Sequence, residues 1–402
     1  MLQLTQVISV LRRHKLAAIL LAVEVALTGA LLANAMCLLS ERKALESLPT
    51  GYADETGVIA LALSDLPQEG LADAVSRITT SMKAVPGVQA VSVTNASPYT
   101  SRAGESGFSL LPEIERATHQ AHFYLVDPSF LKVSGVRVIA GRAFHSDEYE
   151  AADTFPPSAS VALISESYAK AIWPDESPLG HTFYLNHLPV RIVGVTADVL
   201  RPDPSRWAST NTIFLPALPG QVMSNRYLLR ISSEPDMALN AVRQAVRREM
   251  PSVTIDNDNT GMMSQLKVAY FASDEATGRV LTATALGMLA MTTVSVMGLS
   301  TLWVRHRRRQ IGLRRALGAT QASIVQLFLL ENLVIAGTGA IAGVMLSYGI
   351  SLLMMDEFAT PLITPWHVGI AALVLIGVMQ VAALWPALAA SRLSPGAVIK
   401  GC

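Results

Sequence analysis

Six arginines, Arg305, Arg307, Arg308, Arg309, Arg314 and Arg315, stand between two hydrophobic runs, and no acidic residue occurs from position 280 to position 330. The run before them, 280–304, is 25 residues without a charge, and the run after them, 324–355, carries only Glu331. A helix of about 20 apolar residues crosses a bilayer, because its backbone N–H and C=O groups find all their partners inside the segment. A short arginine-rich loop between two such helices marks the cytoplasmic side. The chain therefore reads as an integral membrane protein whose orientation is encoded in its charges.

Two more runs complete the pattern. Residues 16–39 follow Arg12, Arg13 and Lys15 and are interrupted by Glu24, and residues 366–386 end at Pro386. Ala33-Asn34-Ala35 resembles a signal-peptidase site, but the run exceeds the core of about 7–15 residues usual for a signal peptide, so an uncleaved anchor is expected. Four spans place residues 1–15, 305–323 and 387–402 in the cytoplasm. Residues 40–279 and the short loop 356–365 fall outside. Charge agrees: residues 40–279 hold 20 basic against 27 acidic side chains, whereas the cytoplasmic segments hold no acid at all. The formal net charge is zero, so no global basic field points to nucleic acid. Neither Cys37 nor Cys402 lies in the large outer segment, which excludes a disulfide framework there. Bulky Met36 before Cys37 does not fit a lipid-attachment motif, and Cys402 lacks a prenylation pattern.

The outer segment is long enough for one or two packed domains. Residues 57–63 read as a strand, 69–85 have helical spacing, and 88–93 alternate as a second strand after Pro86-Gly87. A similar unit follows at 226–231, 236–250 and 253–255. These two βαβ-like units, about 57–95 and 226–260, are expected to form one subdomain, with a second subdomain, 96–225, inserted between them. The insert contains short β-like runs such as 160–164 and 190–195. Residues 40–48 and 261–278 are expected to continue the membrane helices outward. The expected fold is an integral membrane α-helical protein with four membrane helices and a large α+β extracytoplasmic domain of two subdomains, inserted between the first and second helices.

Chemistry-bearing motifs are sparse. No G-x-x-x-x-G-K-[ST] occurs, so nucleotide binding would have to come from another chain. Asp256-Asn257-Asp258-Asn259-Thr260-Gly261 imitates the start of a calcium loop, but Lys267 stands where a bidentate Glu is required. His119, His122 and His145 read as solvated loop residues, not zinc ligands. No nucleophile elbow or H-E-x-x-H is present. No cofactor or metal is expected in this chain.

The stretch Arg307-Arg308-Arg309-Gln310-Ile311-Gly312-Leu313-Arg314-Arg315-Ala316-Leu317-Gly318-Ala319-Thr320, followed by Phe328-Leu329-Leu330-Glu331 and a glycine-rich helix, resembles the FtsX-like/MacB-type permeases of ABC systems. The tail from Trp385 to Pro395 also resembles the family's C-terminal pattern, and weaker likenesses lie in Asp127-Pro128-Ser129-Phe130, Gly141-Arg142-Ala143-Phe144, Ile164-Ser165-Glu166-Ser167-Tyr168-Ala169, Pro178-Leu179-Gly180 and Val193-Gly194-Val195. One departure is Gln310, where the family usually has an acid.

The resemblance implies a bacterial inner-membrane subunit of the mechanotransmitting class. It would pair with a second permease subunit, identical or not, and be driven by a cytoplasmic ABC ATPase that binds ATP and Mg. It further suggests a periplasmic adaptor and an outer-membrane channel. The expected role is export or extrusion. The alternative is a signalling regulator of an envelope enzyme that moves no cargo.

In this reading Arg305, Arg307, Arg308, Arg309, Arg314 and Arg315 pair with acids of the ATPase, while Ile311, Leu313 and Leu317 supply apolar docking surface. Glu24 and Glu331 are intramembrane acids and hence functional candidates. Glu331 is expected to pair with a nearby arginine, and Glu24 to find a partner across a subunit interface. Gly337, Gly339 and Gly343 permit close helix approach, with the partner helix unspecified.

Overall fold

A computed structural model describes residues 15–100, 105–112, 118–204, 209–232, 234–358 and 362–392. Arg12, Arg13, Lys400, Cys402 and part of the 356–365 loop lie outside them. Two compact units emerge, Met1–Lys43 with Glu275–Cys402, and Ala44–Asp274.

Helix α1 (Lys15–Ser47) is the first element among the described residues. Strand β1 (Val58–Ser64), helix α2 (Leu71–Lys83) and strand β2 (Val88–Thr94) follow. The inserted stretch supplies β3 (Glu105–Phe108), β4 (His119–Val126), helix α3 (Phe130–Ser134), β5 (Val138–Gly141), β6 (Glu150–Ala151) and β7 (Val161–Ser165). It continues with helix α4 (Glu166–Ile172), β8 (Thr182–Leu185), β9 (Leu188–Thr196) and β10 (Thr212–Leu218). Strand β11 (Arg226–Ile231), helix α5 (Pro235–Glu249) and β12 (Thr254–Met262) close the outer unit.

Alternation explains the sheet. Side chains of successive strand residues point to opposite faces, and here both faces are covered. Ile59, Leu61 and Leu63 of β1, with Tyr227 and Leu229 of β11, face a core roofed by α2 and α5. Val58, Ala60 and Leu228 face a second core with Tyr52, Tyr124 and Phe130. Helix α2 buries Leu71, Ala74, Val75, Ile78 and Met82, the spacing of one helical face. Pro235 starts α5, where a missing N–H costs nothing. Thus β1 pairs antiparallel with both β11 and β12, and β11 with β2, which interleaves the two βαβ units although about a third of the chain separates them.

The inserted strands do not form a sheet of their own. They extend the same one, in the order β12-β1-β11-β2-β4-β10-β7-β9-β5. The junction is narrow: β2 meets β4 only at Thr94 and Val126. Asn95 widens it with its side chain. Its amide donates to the Phe123 carbonyl and accepts from the Leu125 N–H, each at 2.9 Å, taking the place of a strand backbone.

Among the described residues, four helices are long and apolar enough to cross a membrane: α1, α6 (Met263–His306), α8 (Gln321–Phe358, over Gln321–Leu353) and α9 (Pro365–Ser391). Short helix α7 (Arg308–Ala316) lies between α6 and α8 in sequence. The long helices interlock through Leu21 and Val25 of α1, Val296 and Trp303 of α6, Ile335 and Ala336 of α8, and Leu375 and Met379 of α9. Ala33 is buried with Cys37 against Ile363, Val368 and Ala371, so the cleavage-like stretch is a packing surface in mid-helix.

Pro386 does not end the fourth helix as its sequence position predicts, since α9 runs through it to Ser391. Proline removes one donor and presses on the carbonyl one turn back, but packed neighbours in a membrane bundle tolerate this. Pro386, Ala387 and Ala390 are all buried.

Candidate functional site

The arginine block folds into a break and a short helix. Helix α6 ends with Trp303 and Val304 buried, and Arg307 leaves helical geometry at φ −104°, ψ 10° as the N-cap of α7. Gly318, at φ +95°, stops α7. Its N–H reaches the Arg315 carbonyl at 3.1 Å and that of Ala319 reaches Arg314 at 3.0 Å, the paired bonds by which a left-handed glycine closes a helix.

Helix α7 has two faces. Ile311 and Gly312 are buried, and Ile311 packs with Val304, Ile324, Phe328, Ala387 and Ala390 of the neighbouring long helices. The expectation that Ile311 offers docking surface is therefore corrected: it belongs to the core, because the helical turn places it opposite exposed Leu313. Leu313 and Leu317 point outward, 64% and 80% exposed. Arg308, Arg309 and Arg314 are exposed on the same helix, and Arg305 is exposed in the last turn of α6.

Two arginines turn inward. The Arg307 Nη1 donates to both carboxylate oxygens of Glu331 on α8, at 2.8 and 2.9 Å. The side chains are 12% and 2% exposed. The guanidinium carbon lies 5.9 Å from the Trp303 ring centroid, within cation–π range. Arg307 is thus committed to its own chain. Arg315 donates through Nη1 to the Ser391 carbonyl at 2.6 Å. Ser391 is the last residue of α9, whose terminal carbonyls lack partners within the helix and carry the negative end of its dipole. The cap is invisible in sequence because 76 residues separate donor and acceptor.

The remaining predicted residues separate by neighbour. Glu24 accepts a hydrogen bond from the Ser295 hydroxyl of α6 at 3.0 Å, so it has a partner within its own chain. One turn along, the Thr28 and Thr292 hydroxyls meet at 3.0 Å and extend this polar seam between α1 and α6. Gly339 and Gly343 both abut α1. A Cβ on Gly339 would meet Val25 at 2.7 Å and one on Gly343 the Ala26 carbonyl at 3.1 Å. A Cβ on Gly337 would meet nothing within 4 Å. In the outer unit, His119 and His122 lie on strand β4, not in a loop, and His122 is fully buried beside Tyr124. Asp256 lies in strand β12, its carboxylate held by the Asp258 N–H and the Asn259 amide.

Residues 43–249 match the model of the MacB-like periplasmic core domain, and residues 282–395 match that of the FtsX-like permease C-terminal region. The chain belongs to the FtsX/MacB-type ABC transporter permeases. It is 27% identical over 284 residues to an uncharacterized ABC transporter permease, YknZ, of Bacillus subtilis, covering 67% of each protein. It is 29% identical over 287 residues to the macrolide export ATP-binding/permease protein MacB of Sodalis glossinidius, covering 67% of this chain but 42% of that one. The crystal structure of the periplasmic region of MacB from Actinobacillus actinomycetemcomitans is similar at 18% identity and TM-score 0.34, over 52% of this chain and 90% of that one. This permease thus spans less than half the length of the MacB relatives it matches. It is a membrane protein with an extracytoplasmic domain.

Proposed function

We propose that this permease is the transmembrane subunit of an ATP-driven export system, and that α7 is the surface on which a separate cytoplasmic ATPase, with ATP and Mg, docks. The supporting observation is the two-faced helix. One side is fixed to α8 and α9 through Ile311, the Arg307–Glu331 pair and the Arg315–Ser391 bond. The other presents Leu313 and Leu317 among exposed arginines. An apolar centre ringed by cations suits a partner with a hydrophobic pocket and acidic rim. Motion imposed on α7 would pass to α8 and α9 because the contacts on its inner side are buried. Relay of that motion to the extracytoplasmic domain, pairing with a second permease subunit and contact with a periplasmic adaptor and outer-membrane channel belong to the same proposal.

The test is co-purification of the full chain with its ATPase in nanodiscs. The Leu313→Asp/Leu317→Asp double variant should retain at least about tenfold less ATPase, the effect of losing roughly 1.4 kcal/mol or more at an interface centre. Unchanged retention, or ATP hydrolysis by the purified permease alone, would overturn the reading. In the intact complex, stimulation by cargo would favour export. Stimulation only by an envelope enzyme would favour a regulator.

A further inference from the structure

Helix α7 begins with Arg308 and Arg309 after the N-cap Arg307, and its first turn contains no acid. This is the wrong sign for a helix start, where unpaired N–H groups concentrate positive charge and favour anions. The compensating carboxylate comes from elsewhere in the fold, as Glu331 of α8 reaches the N-cap residue. At the other end the sign is right. Arg314 and Arg315 occupy the last turn, and Arg315 also holds the final carbonyl of α9. The two ends of α7 are therefore fixed differently, one by an imported acid and the other by a bond added to an already favourable terminus.

The N-terminal contact is also incompletely made. Both contacts to Glu331 come from one guanidinium nitrogen, while Arg307 Nη2 is buried without a partner among the described residues. A buried ion pair has no stable half-open form, since separation leaves a desolvated charge on each side. Such a contact is either closed or replaced by other partners, as a two-state element requires.

We propose that Arg307–Glu331 is a releasable latch that sets the tilt of α7, with the Arg315–Ser391 bond as its pivot. Arg307 is then a positioning residue and not a contact for the ATPase. The proposal rests on α7 being the docking element, but the latch itself can be measured without an ATPase.

The experiment uses the full chain in nanodiscs with Cys37→Ser and Cys402→Ser. Spin labels go on Ala316→Cys, at the far end of α7, and Leu333→Cys, on α8. Both positions are exposed. Electron paramagnetic resonance should give one narrow distance distribution. Arg307→Gln and Glu331→Gln should each lose it to a broad or displaced one, and the swap Arg307→Glu/Glu331→Arg should restore it. Unchanged distributions in the single variants, or a swap no narrower than they are, would overturn the latch. Should a single variant fail to fold, the swap decides alone: the wild-type distance supports the latch, and a displaced or unfolded swap overturns it. With the ATPase present, Arg307→Gln should keep it bound while losing the ATP-driven change in the 316–333 distance. Loss of ATPase binding in that variant would make Arg307 a docking contact and overturn the positioning role. Failure of the docking reading itself would appear in the Leu313 and Leu317 variants, with the distances intact.

Discussion

Arginines indistinguishable as a string become chemically different once folded. Arg307 and Glu331 are 24 positions apart, and their pairing was expected from proximity of an acid to a basic block. Which arginine would turn inward depended on where α6 breaks, and that was not legible. Ile311 shows the same limit: its apolar character was plain, but only the rotation of α7 decided that it faces Phe328 instead of a partner.

His122 is a sharper case. A histidine three residues after another reads as polar surface, yet β4 carries it into the core, with both ring nitrogens buried and without partners among the described residues. Burial pushes its pKa down to about 3 from 6.5. Because the folded value is depressed, the unfolded chain binds the extra proton between those limits. The stability is present above pH 6.5 and is lost as pH falls toward 3. Between pH 7 and pH 5 the outer unit should lose about 2 kcal/mol from this group, at roughly 1.4 kcal/mol per pH unit below the unfolded pKa. Thermal unfolding across that range should show a shallower acid slope in His122→Phe. An equal slope would count against the assignment.

Between elements, small residues and surrogate contacts decide the packing. The glycines of α8 were readable as a close-approach motif, but α1 as their partner was not, because small-residue spacing carries no address. Gly339→Leu should drive a side chain into Val25 and the Ala22 carbonyl and destabilise the bundle by about 1–3 kcal/mol, the usual cost of overpacking. Gly337→Leu should be close to neutral, since nothing lies within 4 Å of its Cβ position. Unfolding in detergent compares the two, and equal losses would refute the assignment. In the outer unit the strands and helices of both βαβ units could be placed from alternation and helical spacing. The bridging role of Asn95 could not, because an asparagine after a strand ordinarily signals a turn.

For the whole molecule, charge asymmetry makes a claim about sidedness. In a Cys37→Ser/Cys402→Ser background, Met237→Cys, exposed on the outer unit, should react with an impermeant maleimide in intact cells. Leu313→Cys should react only after permeabilisation. Labelling of Leu313→Cys from outside would reverse the topology. Linear pattern was enough to show a membrane protein, the runs apolar enough to span, where the extracytoplasmic domain lies and which family the chain joins. Those properties depend on composition along a line: run length, charge placement and a contiguous motif. Tertiary structure alone decided that the inserted strands join the same sheet, which arginines turn inward, which glycines touch a neighbour and where His122 points. These depend on residues far apart in the chain meeting at specific rotations of helix and strand, and local pattern fixes the elements without fixing their neighbours.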